Sequence, residues 1–235
     1  MSAAVPGNEV ALIVGVGSGL SASIARTFGA EGMRVALAAR DARKLAGLCA
    51  ETGARAFACD ATKAGDVARL FETVDREIGT PNAVVYNPSM RARGALIDLE
   101  PADVERALAV GAFGAFLVAR EAARRMLAKG HGAILFTGAS ASVKGYPRSA
   151  PFAMAKFALR GLAQSMAREL APQGIHVAHV VIDGAIRDPG RTEPPEKPDS
   201  MLDPGAIART YLELLRQPRS AWAWEIELRP WVETF

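Results

Sequence analysis

Lys156 follows Phe152 by four residues, in Ala150-Pro151-Phe152-Ala153-Met154-Ala155-Lys156. Residues four apart share one face of a helix, so an ammonium lies one turn from an apolar ring. Burial would lower the pKa of such a lysine toward neutrality, and its ammonium could polarise a carbonyl or donate a proton. A second signal lies near the N-terminus. The apolar run Val10–Val14 is followed at once by Gly15, Gly17, Ser18 and Gly19, and a helix opens near Leu20. Glycines at a strand-to-helix turn let a pyrophosphate meet the helix N-terminus without a Cβ clash; a plain strand-to-helix turn is the alternative. A third signal is Ala39-Arg40 at the end of the second apolar run. An acid there would hold a ribose 2′-hydroxyl, the NAD(H) choice, whereas a guanidinium suits the 2′-phosphate of NADP(H). Asp41 reads as a helix N-cap. Arg43 and Lys44 then fall in a first helical turn, where the macrodipole disfavours cations unless a bound phosphate offsets it. The competing reading makes Arg40 a solvated surface charge.

The elements that would position these residues are visible as alternating patterns. Apolar runs at Val10–Val14, Val35–Ala39, Ala56–Cys59, Ala83–Tyr86, Ala133–Thr137 and Ile175–Ile182 predict strands. Between them lie helical spacings, including long helices over Pro101–Lys129 and Phe152–Leu170. Continuous apolar strands alternating with helices predict a parallel sheet covered on both faces. Right-handed crossovers then give an α/β, doubly wound Rossmann fold in one domain over 1–235, with about seven strands. Residues 184–202 are rich in proline and charge, and predict a mobile lid over substrate or cofactor. Asp203 should cap a helix with Pro204 at its first position, and Ile226–Leu228 should add a last short strand.

On these residues the chain resembles the short-chain dehydrogenase/reductase family along nearly its whole length. The family's turn, Gly-x-x-x-Gly-x-Gly, corresponds to Gly15, Gly19 and Ser21, with a serine for the third glycine. Ser21 falls where helix and strand pack closely, so the exchange should cost space and leave phosphate contacts alone. The resemblance makes Asp60, followed by Ala61, the aspartate that contacts the adenine ring. It makes Asn87, followed by Pro88, the second asparagine of Asn-Asn-Ala-Gly. With a one-residue gap, Asp183-Gly184 stands for the Pro-Gly after the sixth strand, Ile186 falls on the carboxamide-binding position, and Asp188 replaces a threonine near the cofactor phosphates; without the gap the assignment shifts by one residue. The catalytic tetrad is Asn, Ser, Tyr and Lys, and Lys156 alone matches. Gly111 takes the asparagine position, Ala139 the serine position and Phe152 the tyrosine position. The chain is similar to a diverged subgroup with phenylalanine beside the retained lysine.

The implied activity is hydride transfer between NAD(P)(H) and a small carbonyl or alcohol, by an atypical mechanism with a degenerate tetrad. A catalytically inactive NADP(H)-binding sensor or regulatory subunit, and a protein that kept the fold and lost the cofactor, are the alternatives. Other proton donors to weigh are Tyr146, Ser149, Ser140 and His179. Tyr146 reads as a surface or substrate-wall residue and His179 as a packed strand histidine. Phe152, Ala139, Met154 and Phe113 are the expected surroundings of the pocket. Leu159, Leu162, Ala163 and Met166 add apolar surface after Lys156, which with the resemblance predicts a homodimer or homotetramer.

Composition narrows the remaining classes. The chain has 235 residues, half of them hydrophobic, and a formal net charge of +3. The basic residues are scattered without aromatic interleaving, which argues against a nucleic-acid partner. Two cysteines and three histidines without clustering argue against a metal site. No basic leader or long apolar run is visible, so a cytoplasmic protein without membrane contact is expected.

Overall fold

A computed structural model describes residues 9–233. Strands β1 (Val10–Val14), β2 (Arg34–Ala39), β3 (Arg55–Ala58), β4 (Ala83–Tyr86), β5 (Gly132–Thr137), β6 (Ile175–Ile182) and a last strand at Glu225–Leu228 form one parallel sheet. Two further strands precede the last: β7 (Ala185–Ile186) and β8 (Met201–Leu202) pair with each other, so the last is β9. Helices α1 (Leu20–Ala30), α2 (Ala46–Thr52), α3 (Ala64–Glu77), α4 (Pro101–Leu108), α5 (Gly114–Lys129), α6 (Ala150–Leu170) and α7 (Pro204–Arg216) make the crossovers. The spatial order is β3-β2-β1-β4-β5-β6-β9. It is the single-domain α/β Rossmann arrangement expected from the alternating pattern. The order reverses between β1 and β4, which opens a crevice beyond their carboxyl ends.

The reason for both-sided cover lies in the strands. All five residues of β1 and all eight of β6 are buried, so neither face tolerates water. One core layer packs Phe71, Leu117, Met126 and Leu159 from α3, α5 and α6 against the sheet. The other packs Ile24, Phe28, Ile207 and Tyr211 from α1 and α7. Full burial of each such side chain contributes about 1.5–3 kcal/mol. The α7 entry is as expected: the Asp203 carboxylate accepts from the Ala206 N–H at 2.7 Å, with Pro204 at the first position.

Two elements differ from the expectation. The predicted continuous helix over 101–129 is interrupted by a π-helical turn at Ala109–Phe113. The Tyr86 hydroxyl donates to the Val110 carbonyl there, satisfying an acceptor in the distorted turn. Residues 184–202 are closed at their base by β7 pairing with β8, Ala185 opposite Met201 and Ile186 opposite Leu202. Ile186 and Leu202 pack on the α1/α7 side of the core. No helix among the described residues is long and apolar enough to cross a membrane.

Candidate functional site

The glycine turn hangs from the end of β2: the N–H groups of Gly15 and Val16 donate to the Ala38 carbonyl at 2.9 and 3.1 Å. Gly15 has φ +83°, and a Cβ there would lie 2.5 Å from Cγ of Pro88. No L side chain fits. At Gly17 a Cβ would meet nothing within 4 Å, so the backbone lies open to a ligand. Ser21 is buried. Its Oγ donates to the Gly15 carbonyl at 3.1 Å and accepts from Nδ2 of Asn87 at 2.6 Å. The serine therefore ties the turn, α1 and the loop after β4 together, a role beyond the loss of space expected from sequence. The Asn87 side chain serves this lock, while its backbone N–H donates to Val14 at 3.0 Å.

A groove of about 1360 Å³ runs from this turn across the ends of β2, β3 and β4. Gly15, Gly17, Ser18, Arg40, Asp60, Ala61, Asn87 and Pro88 line it, together with Lys44 and Val110. The lining does not include Gly19, Leu20, Lys156, Gly184 or Ile186. Leu20 is buried in the core. Gly184, at φ +150°, backs onto Pro230, where a Cβ would come within 2.8 Å. Arg40 is exposed at the groove's edge. Asp41 caps the following turn, accepting from the Arg43 N–H at 3.2 Å. It also binds the Arg43 guanidinium at 2.9 and 3.1 Å, and this arginine faces solvent. Lys44 is thus the cation that this turn gives to the groove. The Asp60 carboxylate accepts from Oγ1 and N of Thr62 at 2.7 and 3.1 Å, and the Thr62 hydroxyl foremost holds it below the usual carboxylate range. Asp188 stands over the glycine turn, its Cβ 3.6 Å from where a Gly19 Cβ would be. Its Oδ1 accepts from the Gly190 N–H at 2.7 Å, within its own turn.

The second centre lies where α6 passes the end of β5. Lys156 is only 3% exposed, and its ammonium donates to the Thr137 carbonyl at 2.7 Å. Burial, and then the charge of Arg91, pull its pKa down to about 8. Nζ lies 5.8 Å from the centre of the Phe152 ring. Phe152 clusters with Ala139 and Ala141 in a small apolar group. Gly111, in the π turn, faces α6 so closely that a Cβ would lie 2.7 Å from Cβ of Ala155.

The chain as a whole matches known proteins. A family model described as short chain dehydrogenase matches residues 9–192. The chain belongs to the short-chain dehydrogenase family. It is 31% identical over 188 residues to 2-(S)-hydroxypropyl-CoM dehydrogenase 3 of Xanthobacter autotrophicus, covering 78% of this chain and 73% of that protein. A short-chain dehydrogenase from Rhodopseudomonas palustris superposes with a TM-score of 0.83 at 35% identity, over 95% of this chain and 99% of that one. A metagenomic short-chain oxidoreductase solved with NADP superposes with a TM-score of 0.85 at 27% identity, over 97% and 99% of the two chains.

In this chain the four positions read as a tetrad converge on one end of α6, through the contacts of Gly111 with Ala155, of Ala139 with Phe152 and of Lys156 with β5. Several expected neighbours do not join them. Phe113 and Met154 are about half exposed, and Phe113 stacks on Phe116 at 6.3 Å. Tyr146 is exposed beneath the Lys144 ammonium. His179 is a packed strand histidine, and it is also the centre of a buried chain. The Ser142 hydroxyl lies 3.3 Å from its Nε2, and Glu225 Oε2 lies 3.0 Å from its Nδ1. Glu225 in turn takes Arg160 at 2.7 Å on both oxygens. Desolvation drives the His179 pKa down to about 4. Ser142 also accepts from the Ala139 N–H at 3.1 Å, so the chain fixes the loop beside Lys156. Sequence reading missed Ser142, Glu225 and Arg91. Arg91 alone carried a local hint, since it follows directly on Asn87-Pro88-Ser89-Met90.

Proposed function

We propose that this protein is an NADP(H)-dependent oxidoreductase acting on a small carbonyl or alcohol, with Lys156 taking the part of the missing tyrosine. The observation that carries this reading is the buried Lys156 ammonium, hydrogen-bonded to the Thr137 carbonyl beside the apolar ring of Phe152. The groove fits a dinucleotide: Gly17 leaves open backbone where a phosphate would lie, and Gly15 makes a turn no side chain permits. Gly17, Ser18, Asp60 and Ala61 would hold its phosphates and adenosine half, and when bound it supplies the hydride chemistry. Arg40 and Lys44 at the groove's edge, without an acid on β2, support NADP(H) over NAD(H).

The protein's own residues then have separable tasks. Phe152, Ala139 and Ala141 exclude water beside the reacting oxygen. The Lys156 ammonium polarises that oxygen and donates its proton at Nζ, and a pKa near 8 makes this donor effective close to neutrality. A second reading, an NADP(H)-binding sensor or regulatory subunit, is favoured by Gly111, Ala139 and Phe152, which bring no side-chain group with an exchangeable proton to the tetrad positions. NADPH titration followed by a carbonyl screen on the same preparation separates the two: binding with turnover supports the enzyme, and binding without turnover supports the sensor.

We further propose a homo-oligomer. Leu159 and Ala163, expected to furnish its face, are buried in the core. The exposed large apolar residues of α5, α6 and the π turn before α5 are instead Phe113, Phe116, Leu127, Met154 and Phe157. Light scattering at micromolar concentration should give a multiple of the chain mass; a single-chain mass overturns this reading.

A further inference from the structure

Phe152 lies against two cations. The Arg91 guanidinium carbon stands 4.4 Å from the ring centroid, and Nζ of Lys156 stands 5.8 Å from it. A stacked guanidinium keeps its in-plane N–H donors free, and that planar fork matches a carboxylate or phosphate. Neighbouring cations crowd it. Partial burial, and then the charges of Arg93 and Arg191, depress the Arg91 pKa. Arg160, Arg187 and Arg229 on nearby elements each have an acidic partner. Among the described residues, no ion pair to an acid joins Arg91, Arg93 or Arg191. Like charges gathered without a counter-charge repel one another, so the cluster is stabilised most by an anion.

The backbone holds this cluster in place. The Gly94 N–H donates to the Arg148 carbonyl at 3.2 Å, joining the Arg91 loop to the loop that precedes α6. Arg148 adopts φ +60°, a conformation uncommon for a side-chain-bearing residue. Such strain gathers at ligand clamps. Arg191 comes from the lid, whose Asp188 pairs with it through backbone bonds and stands over the glycine turn. One end of this segment thus stands over the glycine turn, while Arg191 lies within the electrostatic reach of Arg91.

We propose that Arg91 forms an anion subsite over Phe152, with Arg93 two residues along the same loop, and that the substrate carries a carboxylate or phosphate close to its reacting carbonyl. This deepens the oxidoreductase reading and rests on it. Lys156 faces the reacting oxygen, Arg91 holds the anionic group, and both touch one ring, which suits a compound of a few carbons. The dinucleotide's own diphosphate is the other source of the same chemistry.

The test is calorimetric and needs no turnover. Protein, free and saturated with NADP+, is titrated with acetoacetate and with its methyl ester, and with dihydroxyacetone phosphate and dihydroxyacetone. NADPH is titrated separately. At least one anion should bind about tenfold or more tightly than its neutral partner, a preference of about 1.4 kcal/mol. Arg91→Ala should remove that preference and leave NADPH affinity within about twofold, while Arg91→Lys should retain part of it. Equal binding of charged and neutral partners, or no binding of either anion, overturns the subsite while the NADPH titration still reports on the dinucleotide reading. A loss of NADPH affinity in Arg91→Ala with anion binding unchanged assigns the arginine to the cofactor diphosphate and overturns the substrate assignment. Should Arg91→Ala fail to fold, the Arg91→Lys and Arg93→Ala variants carry the same comparison.

Discussion

Around the glycine turn, side chains satisfy one another: Asn87 holds Ser21, Ser21 holds Gly15, and Asp60 holds Thr62. Around Lys156 the pattern is reversed. An ammonium rests on a backbone carbonyl, Arg91 stacks on Phe152 without an acid, and Ala139 and Ala141 complete the apolar group, with the Ser142–His179–Glu225–Arg160 chain behind them. The first region is a closed polar lattice that leaves a backbone surface for a ligand. The second is an apolar wall with positive charge on it. The two regions therefore differ in kind: one leaves open backbone beside a satisfied polar lattice, and the other sets a buried ammonium against an apolar ring.

The comparison breaks most severely at Gly15. With φ +83° and no room beside Pro88, Gly15→Ala combines left-handed strain of about 1–3 kcal/mol with a clash. We expect a large fall in NADPH affinity and a lower Tm, read by fluorescence titration and thermal unfolding. A variant that binds NADPH normally would show that the turn is not the phosphate cradle.

Rebuilding the second half is the next largest effect. Gly111→Asn should not restore a water-holding asparagine, because its Cβ would press on Ala155 and force α6 away. Overpacking of this kind typically costs about 1–3 kcal/mol. Adding Gly111→Asn to Phe152→Tyr and Ala139→Ser should therefore lower Tm and activity below those of the double variant. A triple variant more active than the double one would show that the π turn relaxes freely.

How much of this was legible depends on the range of the interaction. Continuous apolar runs such as Val10–Val14 marked the strands, and the glycine turn stood between a strand and a helix in a few consecutive residues. The β7/β8 pair has two residues per strand, too short to show any period. Gly111 was readable as a departure from the family, but its approach to Ala155 needed coordinates. Asn87 and Ser21 are separated by 66 residues, and His179 and Glu225 by 46, so neither bond leaves a local trace. Leu159 and Ala163 looked like surplus apolar surface because sequence cannot say how deep the sheet face is; they fill the core.

A smaller effect tests the buried His179 chain. Burial lowers the His179 pKa from the usual 6.5 to about 4, despite Glu225, and Lys156 and Arg160 push the same way. Between these values the unfolded chain binds a proton that the folded chain refuses, so stability rises with pH there and is lost as pH falls from 6.5 toward 4. The slope is at most about 1.4 kcal/mol per pH unit from this group. Urea midpoints across that range should fall with acid, and His179→Gln should flatten the fall. An unchanged slope in His179→Gln would assign the acid limb to other groups. Smaller again, Arg40→Ala should reduce a preference for NADPH over NADH of about tenfold, or about 1.4 kcal/mol; equal dissociation constants in the unaltered protein would remove the case for NADP(H).

The most direct test is NADPH oxidation by the unaltered protein and by Lys156→Met, followed at 340 nm over aldehydes, ketones and oxoacids from pH 6 to 10. Carbonyl reduction should occur with at least one class and decline as pH rises through about 8, where Lys156 loses its proton. Lys156→Met should lose about 100-fold or more in rate, in the range of general acid catalysis, with NADPH binding changed only slightly. The contradicting result is NADPH binding with no turnover on any class, together with a Lys156→Met variant that loses NADPH affinity. Lys156 would then hold the cofactor alone, and the protein would be a sensor.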